Sequence, residues 1–130
     1  MARVPGVSSF LIADQVFQQA SGKWCVIGIF DRINVAAFPA IHHSLGLFVN
    51  LSDAQGTYDV KIQFCDSKDQ TLAEFKDMRL EVKSVQSPAT FGLQTMALPL
   101  PAPGRYFFKL YLNHDLLKDI PIDVEPLKIK

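Results

Sequence analysis

The chain has 130 residues, 48% of them hydrophobic, and its 13 basic residues balance 13 acidic ones. This length predicts one domain over residues 1–130 with a single core. A net charge of zero provides no long-range field that would attract nucleic acid or an anionic membrane, so neither is an expected partner. The longest apolar run, Trp24 to Phe30, is too short to span a bilayer, and the first residues lack a signal-peptide core, so we expect a soluble protein that is not exported.

Alternating apolar and polar residues extend along the whole chain and predict an all-β protein. The predicted strands are residues 9–18, 24–33, 45–51, 58–66, 71–76, 78–83, 91–98, 105–112 and 116–124. Clusters of Gly, Asn, Asp and Ser separate them, and the segment Ala20–Lys23 predicts a hairpin between the first two. Short strands with frequent turns favour an immunoglobulin-like antiparallel β-sandwich of about eight or nine strands with an N-terminal hairpin.

Four features interrupt this alternation. Residues 34–44 form the longest stretch without it, and we predict that they cross between the sheets. The apolar phase slips after Leu93, which predicts a bulge near Gln94–Thr95. Pro121 cannot donate to a ladder, so its strand is predicted to lie at an edge, and Gly28 within a strand marks a bulge or a close approach by another backbone.

The segment 58–65 predicts the orientation of its strand and of one cysteine. Its alternation places four residues toward the core, namely Tyr58, Val60, Ile62 and Phe64. The same pattern directs Cys65 outward, and two cysteines in so apolar a chain are not a disulfide framework. Because a free outward thiol suits a reducing compartment, we expect a cytoplasmic protein.

Two resemblances add to this interpretation. The dipeptides Ala13-Asp14, Gly22-Lys23 and Phe38-Pro39, with Ile27–Ile33 between them, resemble the opening of a family of small uncharacterised bacterial proteins. That resemblance implies a bacterial β-sandwich of unknown function and transfers no catalytic residues. From residue 45 onward the chain resembles an immunoglobulin-like sandwich, in which Tyr106 would form a tyrosine corner and bind backbone upstream.

The polar residues give little sign of catalysis or of a bound metal. His42 and His43 are adjacent, so an extended backbone would point them to opposite faces and prevent joint chelation. Nucleotide-binding and redox motifs are absent from the sequence, and we predict no cofactor. Asp14 and Asp31 are interpreted as residues that bind turn amides. We therefore expect a protein that is not an enzyme.

Several aromatic residues fall on the side of their strands opposite to the predicted core. Phe107 and Tyr111 would flank Lys109 on the outward side, and Phe48 would be outward on an earlier strand. If these residues are contiguous they mark an interface with a protein partner or with a second copy of the chain. In the alternative, the N-terminal hairpin covers them.

Three functional hypotheses follow. The favoured one is an interaction or assembly module that uses these aromatics or the strand around Pro121. The second is a small-ligand or carbohydrate-binding module with four loop residues as its site, namely Trp24, His42, His43 and His114. The third is an enzyme of unrecognised type in which Asp14, Asp31 and the histidines converge.

Overall fold

Nine β-strands make up the regular structure of the computed structural model, which describes residues 2–128. The strands are β1 (Gly6–Gln18), β2 (Trp24–Ile29), β3 (Arg32–Val35), β4 (Ala40–Ser52), β5 (Gly56–Cys65), β6 (Thr71–Val82), β7 (Thr90–Leu100), β8 (Gly104–Leu112) and β9 (Asp115–Pro126). No helix within the described residues is long and apolar enough to cross a membrane. The predicted all-β class is confirmed.

The strands form two sheets that pack face to face. The first sheet has the order β2-β1-β4-β7, and the second has the order β3-β9-β8-β5-β6. All pairings are antiparallel except that of β3 with β9, which is parallel. The order β9-β8-β5-β6 opposite an adjacent β4 and β7 is that of the strands G, F, C and C′ opposite B and E in immunoglobulin domains, so the predicted immunoglobulin-like sandwich is confirmed.

The core lies between the sheets and is built from alternate residues of the longer strands. β4, β5 and β8 each contribute four inward residues, and these are Leu45, Leu47, Val49, Leu51, Tyr58, Val60, Ile62, Phe64, Tyr106, Phe108, Leu110 and Leu112. The predicted tyrosine corner is present, because the Tyr106 hydroxyl donates to the carbonyl oxygen of Ala102 upstream. The Tyr106 ring stacks on Phe64 at a centroid distance of 5.3 Å. The period-two pattern thus predicted the inward faces of these strands correctly.

Three strand boundaries differ from prediction. The predicted strand 24–33 is divided after Ile29, because the chain leaves the first sheet there and pairs Arg32–Val35 with β9 in the second. The predicted strands 71–76 and 78–83 are one strand, β6, in which Lys76 and Asp77 bulge between residues paired with Ile62 and Val60. The crossing between sheets takes only residues 36–39, so Ala40–Ser44 belongs to β4.

Cys65 is buried, with 1% of its surface exposed, and its predicted outward orientation is wrong. The pairing of β5 with β6 shifts between Phe64 and Cys65, and this irregularity turns both side chains away from solvent. The Cys65 sulfur lies 3.7 Å from the hydroxyl oxygen of Thr71. Cys65 is therefore not the exposed thiol from which a reducing compartment was expected.

The other two predicted irregularities have different outcomes. The phase of β7 does change, at Ala97, where φ is 57°, so that Thr95 and Leu98 both reach the interior. The predicted bulge at Gln94–Thr95 is wrong, because β7 pairs with β4 without a register shift. Pro121 is exposed and pairs only with β8, because β3 begins beside Asp123. β9 is therefore an edge at Pro121 and an interior strand further along.

Candidate functional site

The N-terminal hairpin, β1 with β2, bends over the outer surface of the first sheet. β1 pairs with β4 only as far as Ala13, opposite Gly46. Beyond that point Val16 packs onto the outer side of β4 and β7, where its methyl groups lie 2.6 Å from the positions a Cβ would occupy at Gly46 and Gly92. Two glycines in neighbouring strands thus leave the space in which the hairpin rests.

Gln94 ties the bent hairpin to the sheet with three hydrogen bonds. Its side-chain nitrogen donates to the Asp14 carbonyl oxygen at 2.9 Å and to the Ser44 hydroxyl at 2.8 Å. Its side-chain oxygen accepts from the Val16 amide at 3.2 Å. Because one side chain satisfies backbone groups of β1 and a side chain of β4, it holds the two strands at a defined separation.

The two faces of the hairpin differ in their surroundings. The inner face places Val16 and Trp24 over the sheet, and the Trp24 ring meets Phe48 edge-on at a centroid distance of 6.2 Å. The apolar residues of the outer face, which we call the hairpin face, are Phe17, Cys25, Ile27 and Ile29, and the exposed Gln15 lies opposite Ile27 on the same side. Phe17 is 44% exposed, Ile27 49% and Ile29 62%. The hairpin therefore covers one apolar surface and exposes another.

A shallow depression of about 680 Å³ borders the hairpin face. Phe17 and Ile27 form its apolar side, and Asp14, Ser44 and Gln94 form its polar side. Gly28 lies nearby with φ of 73°, and a Cβ there would be 2.4 Å from a carboxylate oxygen of Asp14. The predicted bulge or approach of another backbone at Gly28 is therefore wrong, because β1 and β2 pair without a register shift and the nearest group is the Asp14 side chain.

The structure does not bring the four predicted interface residues together. Phe48 lies on the first sheet under Trp24, whereas Phe107, Lys109 and Tyr111 lie on the outer side of β8 in the second sheet. The four residues therefore do not form one contiguous surface, because both sheets of the sandwich lie between Phe48 and the three residues of β8. Covering by the hairpin, the stated alternative, is found for Phe48 alone.

The residues of β8 have partners within their own sheet. The Lys61 amine lies 4.5 Å from the centre of the Tyr111 ring, a cation–π contact. Lys109 donates to Asp69, and this hydrogen bond raises the pKa of Lys109. Phe107 is half-buried beside Pro121. These contacts cover much of the surface that the alternation left outward.

The predicted ligand-binding loop is not a loop, and its four residues are dispersed. Trp24 begins β2, while His42 and His43 lie in β4 and not in a solvated connection. His114 is in the turn between β8 and β9 as predicted, on the second sheet. It lines a groove of about 370 Å³ together with Tyr111 and Lys61.

His42 has a distinct environment at the end of the first sheet. Its ring is half-buried against Phe30, at a centroid distance of 6.1 Å, and its Nε2 is buried without a hydrogen-bond partner. The pKa of His42 is lowered, chiefly because burial disfavours the charged form. A backbone group of Ser44 and the charge of Asp14 oppose this effect, and the charge of His43 adds to it.

Asp14, Asp31 and the nearby Ser44 make contacts within the fold. Ser44 accepts a hydrogen bond from Gln94, and the Asp31 carbonyl oxygen accepts from the Asp123 amide at 3.0 Å. Asp14 lies over Gly28. Within residues 2–128, no group of three or more His, Cys, Asp or Glu side chains is arranged to hold a metal ion.

The hairpin face was missed by the sequence analysis. Three of its four residues lie in the segment Trp24–Ile29, which is apolar on both sides and so is typical of a strand buried between two layers. The only available signal was the position of this segment in a terminal hairpin, where a strand has one neighbour. Alternation by itself does not distinguish an edge strand from a central one.

Comparisons with known proteins identify a family but no characterised activity. No curated protein matches the chain. Among solved structures, it is similar to an immunoglobulin-like protein of Pseudomonas aeruginosa, with 14% identity and a TM-score of 0.45 over 94% of this chain and 97% of the other. It is also similar to the alkylpurine DNA glycosylase AlkC of Pseudomonas fluorescens bound to DNA containing an abasic site analog, with 12% identity and a TM-score of 0.46. That match covers 89% of this chain and 30% of the glycosylase.

The remaining comparison covers most of the chain. The model of a family of unknown function, DUF6941, matches residues 8–125. The expected membership in a family of uncharacterised proteins is confirmed. Because the match spans nearly the whole domain, the protein belongs to the family DUF6941.

Proposed function

We propose that this protein is a non-enzymatic interaction module that binds a protein or a second copy of itself through the hairpin face. The observation that carries the proposal is the exposure of Phe17, Ile27 and Ile29 on one side of the hairpin, outside the core. Contiguous exposed apolar side chains on a soluble domain mark a surface that is covered by a partner.

The hairpin face has a rigid support. Val16 is buried against Gly46 and Gly92, and Gln94 binds β1 at Asp14 and Val16. A surface that is already ordered loses less conformational entropy when it binds, so more of the contact energy remains as affinity. The arrangement supports a binding role for the hairpin beyond its role in covering Phe48.

The proposal is tested by comparing a hairpin variant with a matched variant elsewhere. Ile27→Ser changes a residue of the hairpin face, and Leu116→Ser changes an equally exposed apolar residue, at 50%, on β9 of the second sheet. Immobilised wild type and both variants are exposed to a lysate of the source cells, and retained proteins are quantified by mass spectrometry. Self-association is measured in parallel by light scattering.

We expect the wild type and Leu116→Ser to retain the same partner or to self-associate equally. Ile27→Ser is expected to bind with an affinity at least about tenfold lower, which corresponds to a loss of about 1.4 kcal/mol of binding free energy. Equal behaviour of all three proteins in both measurements would remove the support for this surface.

A second candidate function is the binding of a small polar ligand in the groove beside Tyr111 and His114. Its volume of about 370 Å³ is within the range of ligand sites, and its lining combines an aromatic ring with Lys61, Asp59 and Asp77. A thermal-shift screen with sugars and nucleosides tests it, since a ligand specific for the native state raises the melting temperature. We expect Tyr111→Ala to abolish any such shift.

A further inference from the structure

Four strands lie at the edges of the two sheets, and they differ in how they are protected from pairing with another chain. β6 is rich in charged residues and bulged at Asp77, β7 contains Pro99 and a left-handed residue at Ala97, and β3 has only four residues. Charges, bulges, proline and short length all discourage edge pairing. β2 has no charged residue and no proline in Trp24–Ile29. Its one left-handed residue, Gly28 with φ of 73°, lies next to its end, so residues 24–27 form the least protected edge segment among the strands described.

The backbone of β2 has groups directed away from β1. The Gln19 amide donates to the Lys23 carbonyl oxygen, so these two residues form a hydrogen-bonded pair at the end of the hairpin. Residues of an antiparallel pair alternate between facing the partner and facing away. Cys25 and Ile27 therefore bond to β1, and the N–H and C=O groups of Trp24 and Val26 point to the free edge.

We propose that the β2 edges of two copies of this chain pair antiparallel about a two-fold axis at Val26, joining their first sheets into one continuous sheet. The inference rests on the proposed function and names the partner of the same hairpin. In this register the two Val26 residues exchange N–H···O=C bonds. Trp24 of each copy lies opposite Gly28 of the other, and because Gly28 has φ of 73° and departs from an extended strand, the paired segment is residues 25–27.

The charges at the two ends of β2 favour the antiparallel direction. Lys23 immediately precedes the strand, and Asp31 follows it by two residues; both are exposed. Antiparallel pairing places Lys23 of one copy and Asp31 of the other at the same end of the paired strands. Parallel pairing would instead place two lysines at one end and two aspartates at the other. The apolar hairpin faces of both copies lie on the same side of the joined sheet, which makes the contact isologous.

A cysteine cross-link tests the register directly. In this arrangement position 25 of one copy faces position 27 of the other in a non-hydrogen-bonded pair, with Cα atoms about 4.5 Å apart, within the range that a disulfide spans. We expect Ile27→Cys, after mild oxidation, to form a covalent dimer whose peptides link Cys25 to position 27. Wild type and Leu116→Cys are controls, and cross-linking no greater than theirs would overturn the register.

Sedimentation over a range of concentrations tests the association itself. Wild type and Leu116→Lys are expected to dimerise with the same dissociation constant. Ile27→Lys is expected to raise that constant at least about tenfold, because the dimer would bury the lysine charge against an apolar side chain of the second copy. A wild type that stays monomeric at all concentrations would overturn the dimer. If Ile27→Ser then still lost a different protein partner, the proposed function would stand without the self-pairing.

Discussion

At the scale of single residues, His42 has the most unusual environment in the described chain. Its Nε2 is buried without a partner, and its pKa is lowered chiefly by burial. The unfolded chain therefore binds a proton at a higher pH than the folded protein does. Stability is fully present above the ordinary histidine pKa and is lost as the pH falls through the folded value.

We predict that the free energy of unfolding decreases as the pH is lowered below about 6.5, where histidine ordinarily titrates. His42→Phe should reduce this decrease, because it removes the group that the unfolded state protonates. Urea unfolding at a series of pH values measures the effect. The exposed neighbour, His43, provides the control. If His43→Phe reduced the low-pH decrease in unfolding free energy as much as His42→Phe does, burial of His42 would not be its cause.

At the scale of secondary-structure elements, the packing of the hairpin on the first sheet depends on Gly92. A Cβ at this position would lie 2.6 Å from a Val16 methyl carbon and 2.8 Å from a Trp24 ring carbon. We predict that Gly92→Ala lowers the free energy of unfolding by about 1–3 kcal/mol, as overpacking does. Because Trp24 is the only tryptophan, its fluorescence emission should shift to the red as the ring is displaced.

Gly104→Ala is the control for this element. Gly104 has φ of 147°, a Cβ added there would have no neighbouring atom within 4 Å, and the residue lies in the second sheet. Its substitution strains the backbone and lowers stability without contacting the hairpin. Unchanged Trp24 emission is therefore expected there, and a red shift in both variants would argue against local displacement.

At the scale of the whole molecule, strands from the start of the chain are joined to strands from its middle and end in both sheets. β1 lies between β2 and β4, and β3 pairs with β9. We predict that residues 1–130 unfold in one cooperative transition, with the same urea midpoint for Trp24 fluorescence and far-UV circular dichroism. Both are measured at one protein concentration. An earlier Trp24 midpoint would identify the hairpin as a separately unfolding unit.

The sequence was sufficient for the fold class, for the hairpin turn and for the inward faces of β4, β5 and β8. These features depend on local geometry, because successive residues of an extended strand point to opposite sides. The tyrosine corner at Tyr106 was implied by the resemblance to immunoglobulin-like sandwiches, and its hydroxyl binds the backbone four residues upstream. Cys65 was mispredicted because a register shift broke the alternation.

The hairpin face and the free edge of β2 were decided by tertiary structure alone. Gly46, Gly92 and Gln94 are remote in sequence from the hairpin, yet their contacts determine where it bends and which of its sides is exposed. Phe48 and Tyr111 were separated in the same way, by assignment of their strands to different sheets. Alternation specifies which side chains share a face of a strand, but the neighbours of that strand are chosen by packing between distant segments, which a local pattern does not contain.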